Sequence, residues 1–245
     1  MEKSLKIFET THRLIQQTVD DLVKLTLDDT KAVIHWALSG GSTPKEIFKA
    51  LAEPANLEKI NWEKIHFWWV DERCVPEDNS ESNYGQAKKL LLSHLDIAED
   101  QIHRVKGELP PPQAAIEYIH EIKSHINHYD HNIPVFDLIW LGMGDDGHTA
   151  SLFPEYFISS DQNWVTVANH PQTGQLRVTL TLPVLNYAKQ ITFIVTGASK
   201  AEMLKTIFSG SETSLIYPAA NVKPINGHLV WYVDAKAALE LSVHS

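Results

Sequence analysis

The chain has 245 residues, of which 43% are hydrophobic and 21% charged, with a formal net charge of −10. That length and composition belong to a globular protein with a sizeable core. The acidic balance argues against general binding to nucleic acid or anionic membranes, which needs basic surface, but leaves room for a small anionic substrate held by a few local cations. The single cysteine, Cys74, cannot form a disulfide within the chain and points to a reducing compartment. The opening MEKSLKIFETTHRLIQQT lacks the apolar core of a signal peptide. No run approaches the roughly 20 apolar residues of a membrane span. The expected location is the cytoplasm.

Leu14, Ile15, Val19, Leu22 and Val23 share one helical face and predict a helix over 11–25. KAVIHWAL follows, with a strand over 32–38, and then SGGSTPKE leads into a helix over 44–51. In that junction Thr43 is placed to cap, Pro44 suits a first helical position, and Glu46 completes a T-x-x-E capping box. Gly40 and Gly41 permit close backbone approach. Free N–H groups at a helix start make an anion site, to which Ser39, Ser42 and Thr43 can add hydroxyls. A glycine turn with an ordinary cap is the alternative reading. The Walker pattern G-x-x-x-x-G-K-[ST] is absent.

The strand over 65–70, IHFWWV, is expected to send Trp68 and Trp69 to opposite sheet faces. It ends in Asp71-Glu72-Arg73, three charges where open α/β sheets bind ligands. Arg73 is suited to bidentate contact with phosphate or carboxylate; a solvated loop with a local ion pair is the alternative. Helices over 83–95 and 113–128 precede a strand over 135–141. GMGDDGHTASLFP then places Gly142, Gly144 and Gly147 as G-x-G-x-x-G. Pro154 follows too soon for the long helix of a dinucleotide fingerprint. What remains is a glycine loop presenting Asp145, Asp146 and His148. Histidine titrates near neutral pH and can act as general base, and one of the aspartates can orient its ring. The sequence leaves open which.

Strands over 164–168, 176–182 and 191–196 come next. The last runs into TGASKAEML, whose helix over 199–208 puts Lys200 in its first turn. A cation is disfavoured there by the helix dipole, and a bound anion would account for it; a lysine bent into solvent is the alternative. A strand over 229–233 and a short helix from Ala235 close the chain. This alternation predicts an α/β fold, a single three-layer α/β/α domain over residues 1–245 with a mainly parallel sheet.

SGGSTP, DER, GMGDDGHTASLFP, RVTLTLPVLN and TGASKA occur in this order, followed by YPAANVKPINGHLVWYVDAKAA. Together they resemble the 6-phosphogluconolactonases, from about residue 32 to 238. SGGSTP alone is shared with the wider superfamily of glucosamine-6-phosphate isomerases/deaminases. The chain departs from the pattern at Val70, often glycine, and in NHPQTGQL before Arg177. The resemblance implies a modified Rossmann-like domain; the sequence leaves its assembly open between a monomer and a small homo-oligomer. It implies hydrolysis of 6-phospho-D-glucono-1,5-lactone, a phosphosugar lactone, to 6-phosphogluconate, the second step of the oxidative pentose phosphate pathway, with no metal or organic cofactor. His148 would be the base that activates water, oriented by Asp146 or Asp145. Gly40, Gly41, Ser42 and Thr43 would hold phosphate or substrate hydroxyls, and Arg73 and Lys200 would supply positive charge. Arg177 and Asp71 are further substrate-binding candidates. The amino-sugar isomerases resemble D-G-H-I-A-F-N-E-P at the histidine motif, and Phe153 stands where their glutamate falls. A non-catalytic phosphosugar-binding regulator and a purely structural protein are the remaining alternatives.

Overall fold

The computed structural model describes residues 4–156 and 163–241. The chain begins with β1 (Ser4–Phe8), α1 (Thr11–Thr26), β2 (Ile34–Leu38), α2 (Ser42–Leu51), a short α3 (Pro54–Leu57), β3 (Ile65–Trp69) and β4 (Asp71–Arg73). The middle holds α4 (Asn83–Leu90), β5 (Ile102–His103), α5 (Pro111–His125), β6 (Tyr129–Asp130), β7 (Ile133–Pro134) and β8 (Leu138–Leu141). It closes with β9 (Val165–Asn169), β10 (Leu176–Leu180), α6 (Leu182–Asn186), β11 (Gln190–Val195), α7 (Ala201–Phe208), α8 (Pro218–Asn221) and β12 (His228–Asp234).

Seven strands pair side by side in the order β1-β12-β11-β8-β2-β3-β5. Every neighbouring pair in this sheet is parallel. Successive side chains alternate between two buried faces, as the pleat requires. Trp36, Phe67, Trp69 and Trp140 pack on one face against Leu14, Val19 and Leu22 of α1 and Ile47 and Phe48 of α2. Ala37, Trp68, Ile139 and Phe193 pack on the other, against α5, α6, α7 and α8. Trp68 and Trp69 do face opposite ways. Both faces being covered explains why these strands read as near-continuous apolar runs. Among the described residues no helix is long and apolar enough to cross a membrane.

The chain leaves β2 toward β3 on one side and β8 toward β11 on the other, so the strand order reverses between β2 and β8. Loops diverging from the carboxyl ends of two such strands leave a crevice between them. A second, antiparallel sheet, β4-β10-β9, stands beside it. In it Arg73 lies opposite Arg177 and Asp71 opposite Thr179.

The structure corrects several expectations. Asp71-Glu72-Arg73 is a strand of the second sheet rather than a loop. Thr43 is not a cap: α2 starts at Ser42 with Gly41 as N-cap and no side-chain capping bond. Gly41 has φ 113°, a left-handed backbone that favours glycine, and this lets the helix begin before Thr43. The Thr43 hydroxyl instead pairs with that of Thr196 at 2.7 Å, and Glu46 accepts from Lys49. The helix expected over 83–95 ends at Leu90, because Leu91 leaves helical geometry at φ −136°. Residues 235–240 form turns, not a helix.

Candidate active site

The crevice at the strand-order reversal is a cleft of about 240 Å³. Its floor and walls come from three loops and from strands of the second sheet. After β2 lie Ser39, Gly40, Gly41, Ser42 and Thr43; after β3, Asp71 and Arg73; after β8, Gly142, Gly144 and His148; after β11, Thr196 and Lys200. Arg177 enters from β10. Every residue given a substrate-binding role from the sequence thus lines this cavity, as do His148 and Arg73, whereas Glu72, Asp145 and Asp146 do not, Asp146 standing behind His148. The first turn of α2 opens onto the cleft with no side chain capping it, so its N–H groups are free for a ligand.

Asp146, not Asp145, holds the histidine. Its Oδ1 lies 2.5 Å from His148 Nδ1 and also accepts from the His148 backbone N–H at 3.1 Å. A carboxylate only accepts, so the shared proton sits on Nδ1 and Nε2 is the ring nitrogen left for chemistry. Burial pushes the Asp146 carboxyl up, but the hydrogen bonds it accepts from His148 and its electrostatic attraction to that ring outweigh it and hold the group down at about 2. The loop bends tightly around the pair, with Gly144 N–H donating to His148 O at 2.9 Å. A Cβ on Gly144 would sit 2.2 Å from His148 Nδ1 and 2.4 Å from Asp146 Oδ1, so only glycine leaves room for the pair. Asp145 points the other way. It takes Lys200 Nζ at 2.6 Å and the Ser199 hydroxyl at 3.1 Å, and the Lys200 hydrogen bond holds its carboxyl below the usual range. The cation at the start of α7 is therefore balanced by a neighbouring loop's carboxylate.

Arg73 and Arg177 stand directly across from each other on β4 and β10, a like-charge pairing that is unfavourable by itself. Both carry a buried Nε with no hydrogen-bond partner. Arg73 Nη1 donates to the Glu81 carbonyl at 2.7 Å, and Arg177 lies over the Phe153 ring at 5.6 Å. Burial lowers the Arg177 guanidinium, opposed by the charge of Asp71. The Ser151 hydroxyl donates to Asp71 at 2.6 Å. Two guanidiniums converging on one cleft wall suit a negatively charged or charge-developing group.

The sequence model of the glucosamine-6-phosphate isomerases/6-phosphogluconolactonase family matches residues 9–231. The chain belongs to this family. Among its members, 6-phosphogluconolactonase of Haemophilus influenzae is 47% identical over 208 residues, covering 85% of this chain and 87% of that protein. The human 6-phosphogluconolactonase is 36% identical, with 98% of this chain and 94% of that one covered. In three dimensions, 6-phosphogluconolactonase from Trypanosoma brucei superposes with a TM-score of 0.86 at 26% identity, covering 98% and 99% of the two chains. A monomeric glucosamine-6-phosphate deaminase, at 17% identity and TM-score 0.81, shares the fold.

Within this isomerase/lactonase fold, some site residues have no signature of their own in the sequence. Glu72, read as part of a charged sheet end, is 2% exposed and turned away from the cleft. It accepts from the N–H groups of Arg73, Asn83 and Tyr84 and from the Ser82 hydroxyl, so it caps α4. That tether fixes Asn83, whose amide donates to Asp71 O and which lines the cleft beside Gly40. Phe153, 1% exposed, holds His148 on one side at 4.9 Å and His170 on another at 5.0 Å. Nothing in NHPQTG marked His170; the hairpin between β9 and β10 brings it there.

Proposed function

We propose that this chain hydrolyses 6-phospho-D-glucono-1,5-lactone to 6-phospho-D-gluconate, as a cytoplasmic carboxylic ester hydrolase, with His148 as general base. The observation that carries the reading is the imidazole anchored on Nδ1 by Asp146 in a cleft that also gathers Arg73, Arg177, Lys200 and the uncapped start of α2. The names of the relatives at 36–47% identity support it. The isomerase reading lacks a carboxylate at position 153, where Phe153 is buried against the histidine.

In this mechanism His148 Nε2 removes a proton from water, and the hydroxide adds to C1 of the lactone. Asp146 stabilises the imidazolium that forms. The tetrahedral oxyanion is met by the guanidinium pair of Arg73 and Arg177. Collapse breaks the bond between C1 and the ring oxygen, which takes the proton from His148. The phosphate, remote from C1, rests on the N–H groups of Gly41, Ser42 and Thr43 and on Lys200, released for it from Asp145, so that part of the binding energy serves orientation. Asp71, fixed by Ser151, accepts a sugar hydroxyl.

The test adds purified protein to freshly made 6-phosphogluconolactone and follows lactone loss above the spontaneous hydrolysis of the ring. His148→Ala is expected to lower kcat by ~10²–10⁴-fold with little change in KM. A near-normal kcat in that variant removes His148 from the base role.

A further inference from the structure

At the β3–β5 edge of the parallel sheet, away from the cleft, imidazoles gather against Trp68. His103 on β5 stacks on the Trp68 ring with centroids 4.0 Å apart. Its Nε2 lies 2.8 Å from His66 Nδ1, and its Nδ1 lies 2.7 Å from Glu121 Oε1. His125, in the last turn of α5, brings its Nδ1 to 3.0 Å from the Glu121 carbonyl and 3.3 Å from the same Oε1. One donor atom from each of His103, Glu121 and His125 lies within 4.8 Å of the others. None of these residues lines the cleft described above.

The hydrogen bonds fix the tautomers. Carboxylate and carbonyl oxygens only accept, so neutral His103 and His125 carry their protons on Nδ1, and His103 Nε2 accepts from His66 Nδ1. A carboxylate oriented by one buried imidazole needs no second one. Here a second, on a separate and half-exposed turn, converges on the same oxygen.

We propose that His103, Glu121 and His125 form a binding site for a borderline divalent cation of the zinc class, closing the exposed end of α5 onto the edge strand β5. Two nitrogens and one carboxylate oxygen are a donor set for zinc or copper rather than magnesium or calcium. Tetrahedral zinc needs its ligand atoms about 3.3 Å apart. His103, with a side chain 1% exposed, is the fixed anchor, while Glu121 and His125, at 39% and 34%, have room to swing inward. On binding, each ligating ring keeps one proton, moved from Nδ1 to Nε2. That of His103 then donates to His66 Nδ1, whose own proton passes to its Nε2, and His66 becomes the outer partner that orients the ligand. Water completes the fourth position.

The test strips the full-length protein with a chelator, titrates it with zinc chloride by calorimetry, and measures its melting. The expected result is one zinc per chain and a Tm raised by about 5–10 °C at a free zinc concentration ~100-fold above Kd. His125→Ala and Glu121→Gln, both at partly exposed positions, should fold in the metal-free state and bind at least ~10-fold more weakly. His120→Ala, an exposed histidine on the same helix, should bind as the parent does. The absence of saturable zinc binding overturns the proposal, and so does binding that both His125→Ala and Glu121→Gln leave intact.

Discussion

An imidazole two positions from a carboxylate becomes a working pair only if the chain between them bends back, and the 2.5 Å contact of His148 Nδ1 with Asp146 records that bend. Asp146→Asn keeps an accepting oxygen but loses the charge that steadies an imidazolium. It is expected to lower kcat by roughly 10²-fold or more with KM little changed, measured by lactone loss at saturating substrate. The same variant has a stability signature. The Asp146 carboxyl is held at about 2 against an ordinary 3.8. Its contribution is therefore fully present above about 3.8 and is lost as pH falls toward 2. Asp146→Asn should remove the part of the acid loss in that window, read by urea unfolding at stepped pH. At this scale the sequence was informative about residue types and silent about partners. Gly40, Gly41, Ser42, Thr43, Asp71, Arg73, His148, Arg177 and Lys200 were all legible and all reach one cleft. The choice between Asp145 and Asp146 was not, because both lie close enough in sequence to His148 and only the loop's path separates them.

Among the elements, the glycine loop after β8 is the most constrained. Gly144→Ala would drive a Cβ into both members of the His148–Asp146 pair. Overpacking of this kind costs about 1–3 kcal/mol, and the distortion falls on the reactive ring. The expected outcome is a lower Tm together with a kcat loss approaching that of His148→Ala; an alanine variant with parental kcat would show that the loop does not position the pair. The sequence located this loop and its neighbours because glycine, charge and strand ends coincide there. It misplaced the start of α2, since T-x-x-E is an adequate capping signal by itself and only the left-handed backbone at Gly41 shifts the start to Ser42. It also read Glu72 as a cleft residue. A carboxylate that caps α4 looks, in one dimension, the same as one that meets a ligand.

Over the whole molecule, the parallel sheet followed from apolar runs alternating with helical patterns, and the cleft was expected only at the carboxyl ends of the strands; its place between β2 and β8 comes from a strand order that the sequence does not spell. The antiparallel sheet β4-β10-β9 did not follow from those runs. Strand patterning says nothing about direction or partner, and the register that sets Arg73 against Arg177 joins distant parts of the chain. The histidines around Trp68 were likewise invisible as a group, being spread over three strands and a helix. In the proposed mechanism, loops on one side of the cleft grip a phosphate while His148 works on a carbon some distance from it. The most direct measurement is kcat/KM for the lactone with and without its phosphate, in the parent and in Lys200→Ala. Two or more charge-assisted hydrogen bonds of about 1.5–3 kcal/mol each predict that removing the phosphate costs the parent ~10²–10⁴-fold. The same removal should cost Lys200→Ala at least ~10-fold less. Equal kcat/KM for the two lactones in the parent, or an undiminished phosphate effect in Lys200→Ala, would contradict it.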